Sequence, residues 1–206
     1  MKKFVSRNHA QKQRAISRRD FARLASIAGA ALTMPRIPSA WASGTQPREK
    51  GLAFYNLHTG ESLKTVYWAD GRYVPEALKQ INWILRDYRR NAVKPIDLEL
   101  LDLLYELDQR LETRQPFHII CGYRTPATNE YLREHSSGVA KHSMHMQAKA
   151  VDIRIPGCRL SALQRAALAL HEGGVGIYPV SDFVHVDVGR VRQWSFPAYT
   201  RRAQRS

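Results

Sequence analysis

The chain has 206 residues, of which 44% are hydrophobic, and a formal net charge of +14 at pH 7. This composition excludes a disordered or fibrous protein and predicts one globular domain with a core. The charge would indicate a nucleic-acid partner if it covered a folded surface. However, residues 1–42 hold nine Lys and Arg against one Asp, so +8 lies there and only +6 remains for residues 43–206. We therefore expect no nucleic-acid partner.

Residues 1–42 have the organisation of an export signal. A basic start precedes an apolar run over 21–34, and the end at 40–42 (Ala-Trp-Ala) places small residues where signal peptidase recognises them. The run is too short to be a permanent membrane anchor. Residues 17–21 (Ser-Arg-Arg-Asp-Phe) resemble the twin-arginine signal of bacterial export. We expect a periplasmic protein that begins near Ser43 and is exported by the twin-arginine machinery; the alternative is a basic amphipathic helix on the domain.

A polar linker over 43–50 leads into a predicted folded domain over 51–206. Two runs rich in β-forming residues, 51–58 and 62–69, are separated by Thr-Gly-Glu and predict a hairpin. Apolar residues at helical spacing then predict amphipathic helices over 75–91 and 96–113.

In the second half of the domain, predicted strands and helices alternate. Its predicted elements are a strand over 116–124, a helix over 125–135, a strand over 149–155, a helix over 160–173 and strands over 175–179 and 183–189. Thr125 caps its helix and Pro126 opens the first turn, while Gly173 and Gly174 end the next helix. The succession predicts an α+β fold, with helices packed on one side of a mainly antiparallel sheet.

Cys121 and Cys158 are the two cysteines. Disulfides persist in the periplasm, but a sequence does not establish the Cα separation that a disulfide requires. The alternative is that both are small buried hydrophobic residues. Neither has the C-x-x-C spacing of a zinc or redox site.

The stretch HSMHMQAKAVDIRI, residues 142–155, carries the chemistry. A catalytic zinc takes three protein ligands and keeps one open position. His145 on a loop, Asp152 on a strand and His185 on a distant strand have a suitable layout. A carboxylate in an apolar strand also needs a cationic partner. In the alternative, Arg154 or Arg124 pairs with the carboxylate and His185 is an ordinary half-buried residue.

Several motifs resemble those of known zinc peptidases. SMHMQAKAVDI resembles the S-x-H-x-x-G-x-A-x-D signature of the D-Ala-D-Ala metallopeptidase group, in the superfamily that includes lysostaphin-like enzymes. CGYRT resembles its S-G-Y-R segment and FVHVD its last metal-binding strand. NLHTGES, RDYR, GYRTPATN, GGVGIYP and FVHVDVGRVRQW, in that order after the leader, resemble the periplasmic murein endopeptidase K family over nearly the whole chain.

The resemblance implies an exported zinc-dependent endopeptidase that hydrolyses peptide cross-links in peptidoglycan. It places one zinc ion on His145, Asp152 and His185, and it assigns Arg124 to the substrate carboxylate or the oxyanion. Zinc lowers the pKa of water bound to it to about 7. Ala148 stands where the family has glycine. The resemblance favours links between diaminopimelates over D-Ala–diaminopimelate links; a D-Ala-D-Ala-type carboxypeptidase or an inactive wall-binding protein is the alternative.

A general base is also required. Asp187 lies two residues after His185 and shares its strand face, so it is the first candidate. Asp182, three residues before His185, matches the base of the E-x-x-H relatives and is the second. The alternative role for Asp187 is to hold the His185 ring in its metal-binding tautomer.

Overall fold

A computed structural model of the chain describes residues 48–196. The predicted leader over 1–42 lies outside these residues, and so does most of the predicted linker. Within the described part, no helix is long and apolar enough to cross a membrane.

The described residues form one eight-stranded mixed sheet. The strands are β1 Glu49–Asn56, β2 Ser62–Ala69, β3 Arg72–Tyr73, β4 Phe117–Cys121, β5 Ala150–Arg154, β6 Gly174–Tyr178, β7 Phe183–Asp187 and β8 Arg192–Ser195. Their order is β3-β2-β1-β4-β5-β7-β6-β8. The pairs β1–β4 and β6–β8 are parallel, and the other five pairs are antiparallel. The α+β class is therefore confirmed, while the predicted antiparallel sheet is confirmed only in part.

Four α-helices and one 3₁₀ turn accompany the sheet in the described part. They are α1 Pro75–Ile84, α2 Leu98–Leu111, α3 Pro126–His135, α4 Leu160–Leu168 and the 3₁₀ turn Met144–Gln147. Helix α3 begins as predicted, because the Thr125 side chain accepts a hydrogen bond from the Thr128 amide and Pro126 occupies the first position.

Alternation along β5 and β7 separates the core from the opposite face of the sheet. The core residues on these strands are Val151, Ile153, Val184 and Val186. Because successive strand residues point to opposite faces, Asp152 and His185 face away from that core. Helices α1, α2 and α4 contribute residues to the core. Helix α3 instead borders the opposite face, where Asn129 binds Arg124, so the prediction of helices on one side does not hold for α3.

Helix α1 ends at Ile84, whereas the prediction extended it to residue 91. The Leu85 carbonyl accepts a hydrogen bond from the Tyr123 amide at 2.7 Å. The Asp87 carboxylate accepts bonds from the amide and hydroxyl of Thr125 at 2.9 and 2.7 Å. The chain leaves the helix because these groups bind the segment that follows β4.

Helix α4 ends at Leu168, whereas the prediction extended it to residue 173. His171 takes a left-handed backbone conformation with φ of 57°, which breaks the helix before the two glycines. A Cβ atom at Gly173 would collide with the Asp187 carbonyl. Gly173 therefore permits close packing beside β7, and Gly174 begins β6.

The sequence patterns did not predict β3 and β8. Strand β3 has two residues, too few for an alternation to be recognised. Strand β8 follows a short turn and, among the strands of residues 48–196, pairs with β6 alone. Strand β1 begins at Glu49, inside the predicted linker.

Substitution Gly122→Ala should destabilise the fold. An added Cβ would meet the carbonyl group of Leu85, and overpacking against backbone reduces the free energy of unfolding by about 1–3 kcal/mol. Gly51→Ala is the matched control, because its Cβ would lie 3.5 Å from the Thr65 carbonyl oxygen, an ordinary contact. Chemical denaturation followed by circular dichroism measures both variants. Equal stability of the two variants would contradict this account of the packing at Gly122.

Candidate metal centre

The structure brings the three predicted ligands together. His185 Nδ1 lies 2.9 Å from Asp152 Oδ1 and 3.1 Å from His145 Nε2. His145 Nε2 lies 3.2 Å from the same Asp152 oxygen. All three side chains are buried. The three side chains therefore share one cluster, and their role as metal ligands stays a prediction.

Strand pairing and a capped turn position these side chains. Asp152 and His185 are direct cross-strand partners in the β5–β7 pair, so their side chains share a face. His145 comes from the 3₁₀ turn, whose start is capped by the Ser143 hydroxyl. The turn closes at Ala148, which has a φ of 58°. Because this left-handed conformation favours glycine, it explains the glycine of the family signature, and Ala148 adopts it without removing a ligand.

In His145 and His185, one ring nitrogen lies within the cluster, and the other, outer nitrogen points away from it towards an oxygen atom. His145 Nδ1 lies 2.8 Å from the Gly122 carbonyl oxygen, and His185 Nε2 lies 2.9 Å from Asp187 Oδ2. When these nitrogens donate their hydrogens outward, His145 Nε2 and His185 Nδ1 present lone pairs to the centre. Both rings are thus oriented as metal ligands.

The three inward atoms fit a tetrahedral zinc ion. Zinc binds imidazole nitrogen and carboxylate oxygen at about 2.0–2.2 Å, which places neighbouring tetrahedral ligands about 3.3–3.6 Å apart. The triangle formed by His145, Asp152 and His185 has sides of 2.9, 3.1 and 3.2 Å, so a small expansion accommodates the ion. Two nitrogens and one oxygen are also the donor types that zinc accepts.

The electrostatics of the cluster favour a bound cation. Burial alone would raise the pKa of Asp152, but His145 and His185 hold it below its ordinary range. Burial alone would lower the pKa of His145, but Asp152 raises it to about 10. In the metal-free cluster a proton on His145 therefore balances the charge of Asp152, and a bound divalent ion would displace that proton and supply the positive charge instead.

Arg124 lies beside the cluster as predicted. It is 9% exposed, and its Nη1 donates to Asn129 Oδ1 at 3.1 Å while Nη2 donates to Cys121 Sγ at 3.3 Å. Nη2 is 3.9 Å from Asp152 Oδ2, too far for a hydrogen bond. Within residues 48–196, the buried Nε atom of Arg124 has no hydrogen-bond partner. A donor is therefore available next to the predicted ligands.

Asp187 is completely buried, and both its oxygens are occupied. Oδ1 accepts bonds from the amides of Gly174 and Gly189 and from Arg192. Oδ2 accepts a bond from Arg192 at 2.6 Å and faces His185 Nε2. Burial alone would raise the pKa of Asp187, but the bonds from His185 and Arg192 hold it below its ordinary range. This geometry favours the orienting role over that of a base.

Asp182 is the second candidate for the base. Its exposed carboxylate binds Arg154 Nη1 at 3.0 Å, so Arg154 is not the partner of Asp152 that the alternative interpretation suggested. Asp182 has a φ of 53° in the turn before β7. The identity of the general base stays a prediction, with Asp187 and Asp182 as its candidates.

A cleft of about 770 Å³ opens over the cluster. Its lining includes the basic residues Arg89, Arg124, Arg192, His58, His135 and His142 and the aromatic residues Tyr178, Phe183, Trp194 and Phe196. Of the described residues that line it, Asp152 alone carries a carboxylate. The cleft therefore suits a ligand with negative charge.

Three residues around the site were not predicted. Cys121 contacts Arg124 and is not joined to Cys158, since both thiols are free in the described residues. Asn129 holds Arg124 and also donates to the Ala140 carbonyl at 3.1 Å. The Trp194 ring lies 5.1 Å from the His185 ring. Of these three residues, only Cys121 lies in a motif that the sequence analysis singled out, because C-G-Y-R places it three residues before Arg124.

Comparisons with known proteins identify similar sequences. The family described as Peptidoglycan L,D-endopeptidase MepK matches residues 43–194. The curated protein of that name from Escherichia coli (strain K12) is 46% identical over 174 residues, which cover 84% of this chain and 95% of the relative. Probable peptidoglycan L,D-endopeptidase MepK from Haemophilus influenzae is 39% identical over 171 residues, 82% of this chain and 92% of the relative. No solved structure matches the chain.

Substitution Asp187→Asn should weaken metal binding. It removes the carboxylate that faces His185 Nε2, and loss of such a partner lowers metal affinity about 10–100-fold. Asp182→Asn is the control, because the Asp182 carboxylate binds Arg154 and contacts none of the three ligands. Titration of the metal-free protein against a competing chelator measures both affinities. Equal affinities in the two variants would show that Asp187 does not orient His185.

Proposed function

The chain belongs to the family of peptidoglycan L,D-endopeptidase MepK, and we propose that it hydrolyses peptide cross-links in peptidoglycan with one bound zinc ion. The observation that carries this proposal is the triangle of His145, Asp152 and His185 at the floor of a basic cleft. Three ligands with donor geometry suited to zinc are typical of a catalytic rather than a structural zinc site.

His145, Asp152 and His185 would hold the ion. When bound there, zinc supplies Lewis acidity, which activates water and polarises a peptide carbonyl. The Gly122 carbonyl and the Asp187 carboxylate keep the two imidazole rings turned towards the centre. The side chains around the ligands thus keep them in place before substrate arrives.

Arg124 supplies positive charge where the carbonyl oxygen of the substrate becomes negative. Its guanidinium remains charged, and its donors have fixed directions. Asn129 and Cys121 hold the two Nη atoms, so the group is positioned before the reaction and needs little reorganisation. The Arg124 side chain lines the cleft beside the three proposed ligands, where its charge would stabilise the oxyanion or bind a substrate carboxylate.

We further propose that the substrate is a link between two diaminopimelates. The names of both relatives specify an L,D-endopeptidase, which describes a bond from an L-centre to a D-centre. A diaminopimelate–diaminopimelate link is such a bond, whereas a D-Ala–diaminopimelate link joins two D-centres. A free carboxylate next to the cleaved bond also suits the arginines of the cleft, Arg89, Arg124 and Arg192.

Export to the periplasm through the twin-arginine machinery is the last part of the proposal. Its support is the order of a basic start, the Arg18-Arg19 pair, an apolar run and a small-residue end within residues 1–42. Peptidoglycan lies outside the inner membrane, so a peptidase that cuts it has to cross that membrane.

Digestion of purified sacculi tests the activity, the metal requirement and the bond together. The purified chain should release muropeptides whose masses show cleavage of diaminopimelate–diaminopimelate links. A chelator should abolish the release and added zinc should restore it. His145→Ala should contain no zinc and release nothing. Release that persists with chelator contradicts the metal site. Release of terminal D-Ala alone supports the carboxypeptidase, and zinc binding without any release supports the inactive wall-binding protein.

Substitution Arg124→Ala should reduce turnover while the zinc content stays at one ion per chain. Removal of one oxyanion donor lowers kcat about 100–1000-fold. Arg159→Ala is the matched control, because Arg159 is an exposed residue outside the cleft. Steady-state rates on a purified cross-linked muropeptide, with metal analysis of the same samples, measure the effect. Full turnover in Arg124→Ala would exclude an oxyanion role for this residue.

Replacement of both Arg18 and Arg19 by lysine should block export. The pair is the part of the signal that the twin-arginine machinery recognises. Cell fractionation should then find the unprocessed chain in the cytoplasm, while the unaltered chain is periplasmic and begins near Ser43. The single substitution Arg14→Lys, in the same basic segment, is the control. Normal export of the double variant would exclude this pathway.

A further inference from the structure

Cys121 belongs to the same row of side chains as two proposed metal ligands. It pairs directly with Asp152 across β4 and β5, and Asp152 pairs directly with His185 across β5 and β7. Direct cross-strand partners share a face of the sheet. The thiol therefore lies on the side of Asp152 opposite to His185.

The sulfur atom is close enough to act with the cluster. Cys121 Sγ, a ring nitrogen of His145 and a carboxylate oxygen of Asp152 all lie within 4.8 Å of one another. Each of these residues is a type that binds zinc: cysteine through thiolate, histidine through nitrogen and aspartate through oxygen. The cluster thus holds four donors of metal-binding type, of which the proposed ligand set uses three.

Arg124 contacts the sulfur atom at the edge of this cluster. Arg124 is about nine-tenths buried, and its Nη2 donates to Cys121 Sγ at 3.3 Å. Its Nε atom is buried and has no partner within residues 48–196. Cys158, by contrast, lies outside the cluster: its Sγ donates to the Arg159 carbonyl oxygen, and the residue packs against the hydrophobic core.

We propose that Cys121 is an additional ligand of the metal ion in the substrate-free protein. The inference rests on the proposed zinc function. As the sulfur–metal bond forms, the thiol proton passes to solvent. Thiolate is a strong ligand for zinc, and a fourth protein ligand makes the site resemble the closed sites of structural zinc. Substrate then has to displace the sulfur, which keeps the ion from reacting before the cleft is filled.

The simpler alternative is that Cys121 only fills space and accepts a hydrogen bond from Arg124. Cobalt(II) distinguishes the two interpretations, because it occupies zinc sites and because a thiolate bound to it produces a charge-transfer absorption in the near ultraviolet. Nitrogen and oxygen ligands do not produce that band. The spectrum therefore reports sulfur ligation directly and does not depend on turnover.

The experiment uses the purified full chain, stripped of metal with a chelator and reloaded with Co²⁺. The unaltered chain and Cys158→Ser should show the charge-transfer band in proportion to bound cobalt. Cys121→Ser should bind about one Co²⁺ per chain without the band. Serine keeps a small polar group beside Arg124, so the fold is expected to tolerate the change; thermal unfolding of both variants checks this.

Each contrary result has a distinct meaning. One Co²⁺ bound to the unaltered chain without the band overturns sulfur ligation and leaves the proposed peptidase function standing. A band that persists in Cys121→Ser also overturns it. Failure of the unaltered chain to bind cobalt or zinc overturns both the ligation and the proposed zinc function.

Alkylation of the cysteines, mapped by mass spectrometry, is a second measurement. Metal loading should slow the alkylation of Cys121 several-fold and leave the alkylation rate of Cys158 unchanged. Equal rates at Cys121 with and without metal contradict the proposal.

Discussion

The buried carboxylate of Asp152 is the constraint on which the site depends. A negative charge on a strand that also supplies core residues is unfavourable unless positive groups and hydrogen-bond donors surround it. The structure meets this need from several sides: His185 approaches from the neighbouring strand, His145 from the 3₁₀ turn, and Arg124 from the segment after β4. Because the alternation of β5 fixes the face on which Asp152 lies, the position of the proposed metal site follows from the packing of Val151 and Ile153 in the core.

The segment that follows β4 connects this carboxylate to the rest of the fold. Gly122 provides the carbonyl that orients His145, and Arg124 lies two residues further on. The same segment is held by the residues that follow α1, because the Leu85 carbonyl accepts a hydrogen bond from the Tyr123 amide and the Asp87 carboxylate accepts bonds from Thr125. Gly122 is required because a side chain there would occupy the space of the Leu85 carbonyl. The early end of α1 therefore has a function: it frees backbone and carboxylate groups that position two parts of the site.

The sequence contains enough information to select the three side chains that the structure brings together, and the reason is local. Polar residues such as Asp152 and His185 are easily recognised where they interrupt apolar strands. Because strand residues alternate between the two faces of the sheet, the sequence also predicts that they lie on the face opposite to the apolar residues. Capping of α3 by Thr125 is equally local. In contrast, the end of α1 depends on hydrogen bonds to Tyr123 and Thr125, some forty residues away. Periodicity within a segment holds no information about such distant partners.

Strand β8 shows how a feature without a sequence pattern affects the chemistry. Arg192 at its start donates to both oxygens of Asp187, and Asp187 in turn faces the outer nitrogen of His185. Trp194 packs closely over Gly176, where any side chain would collide with the indole ring. The parallel pairing of β8 with β6 therefore determines the position of Arg192. Because a carboxylate held by an arginine remains ionised, Asp187 accepts the hydrogen of His185 rather than releasing a proton to it. The tautomer of His185, a proposed metal ligand, thus depends on an edge strand that contributes none of the three proposed ligands.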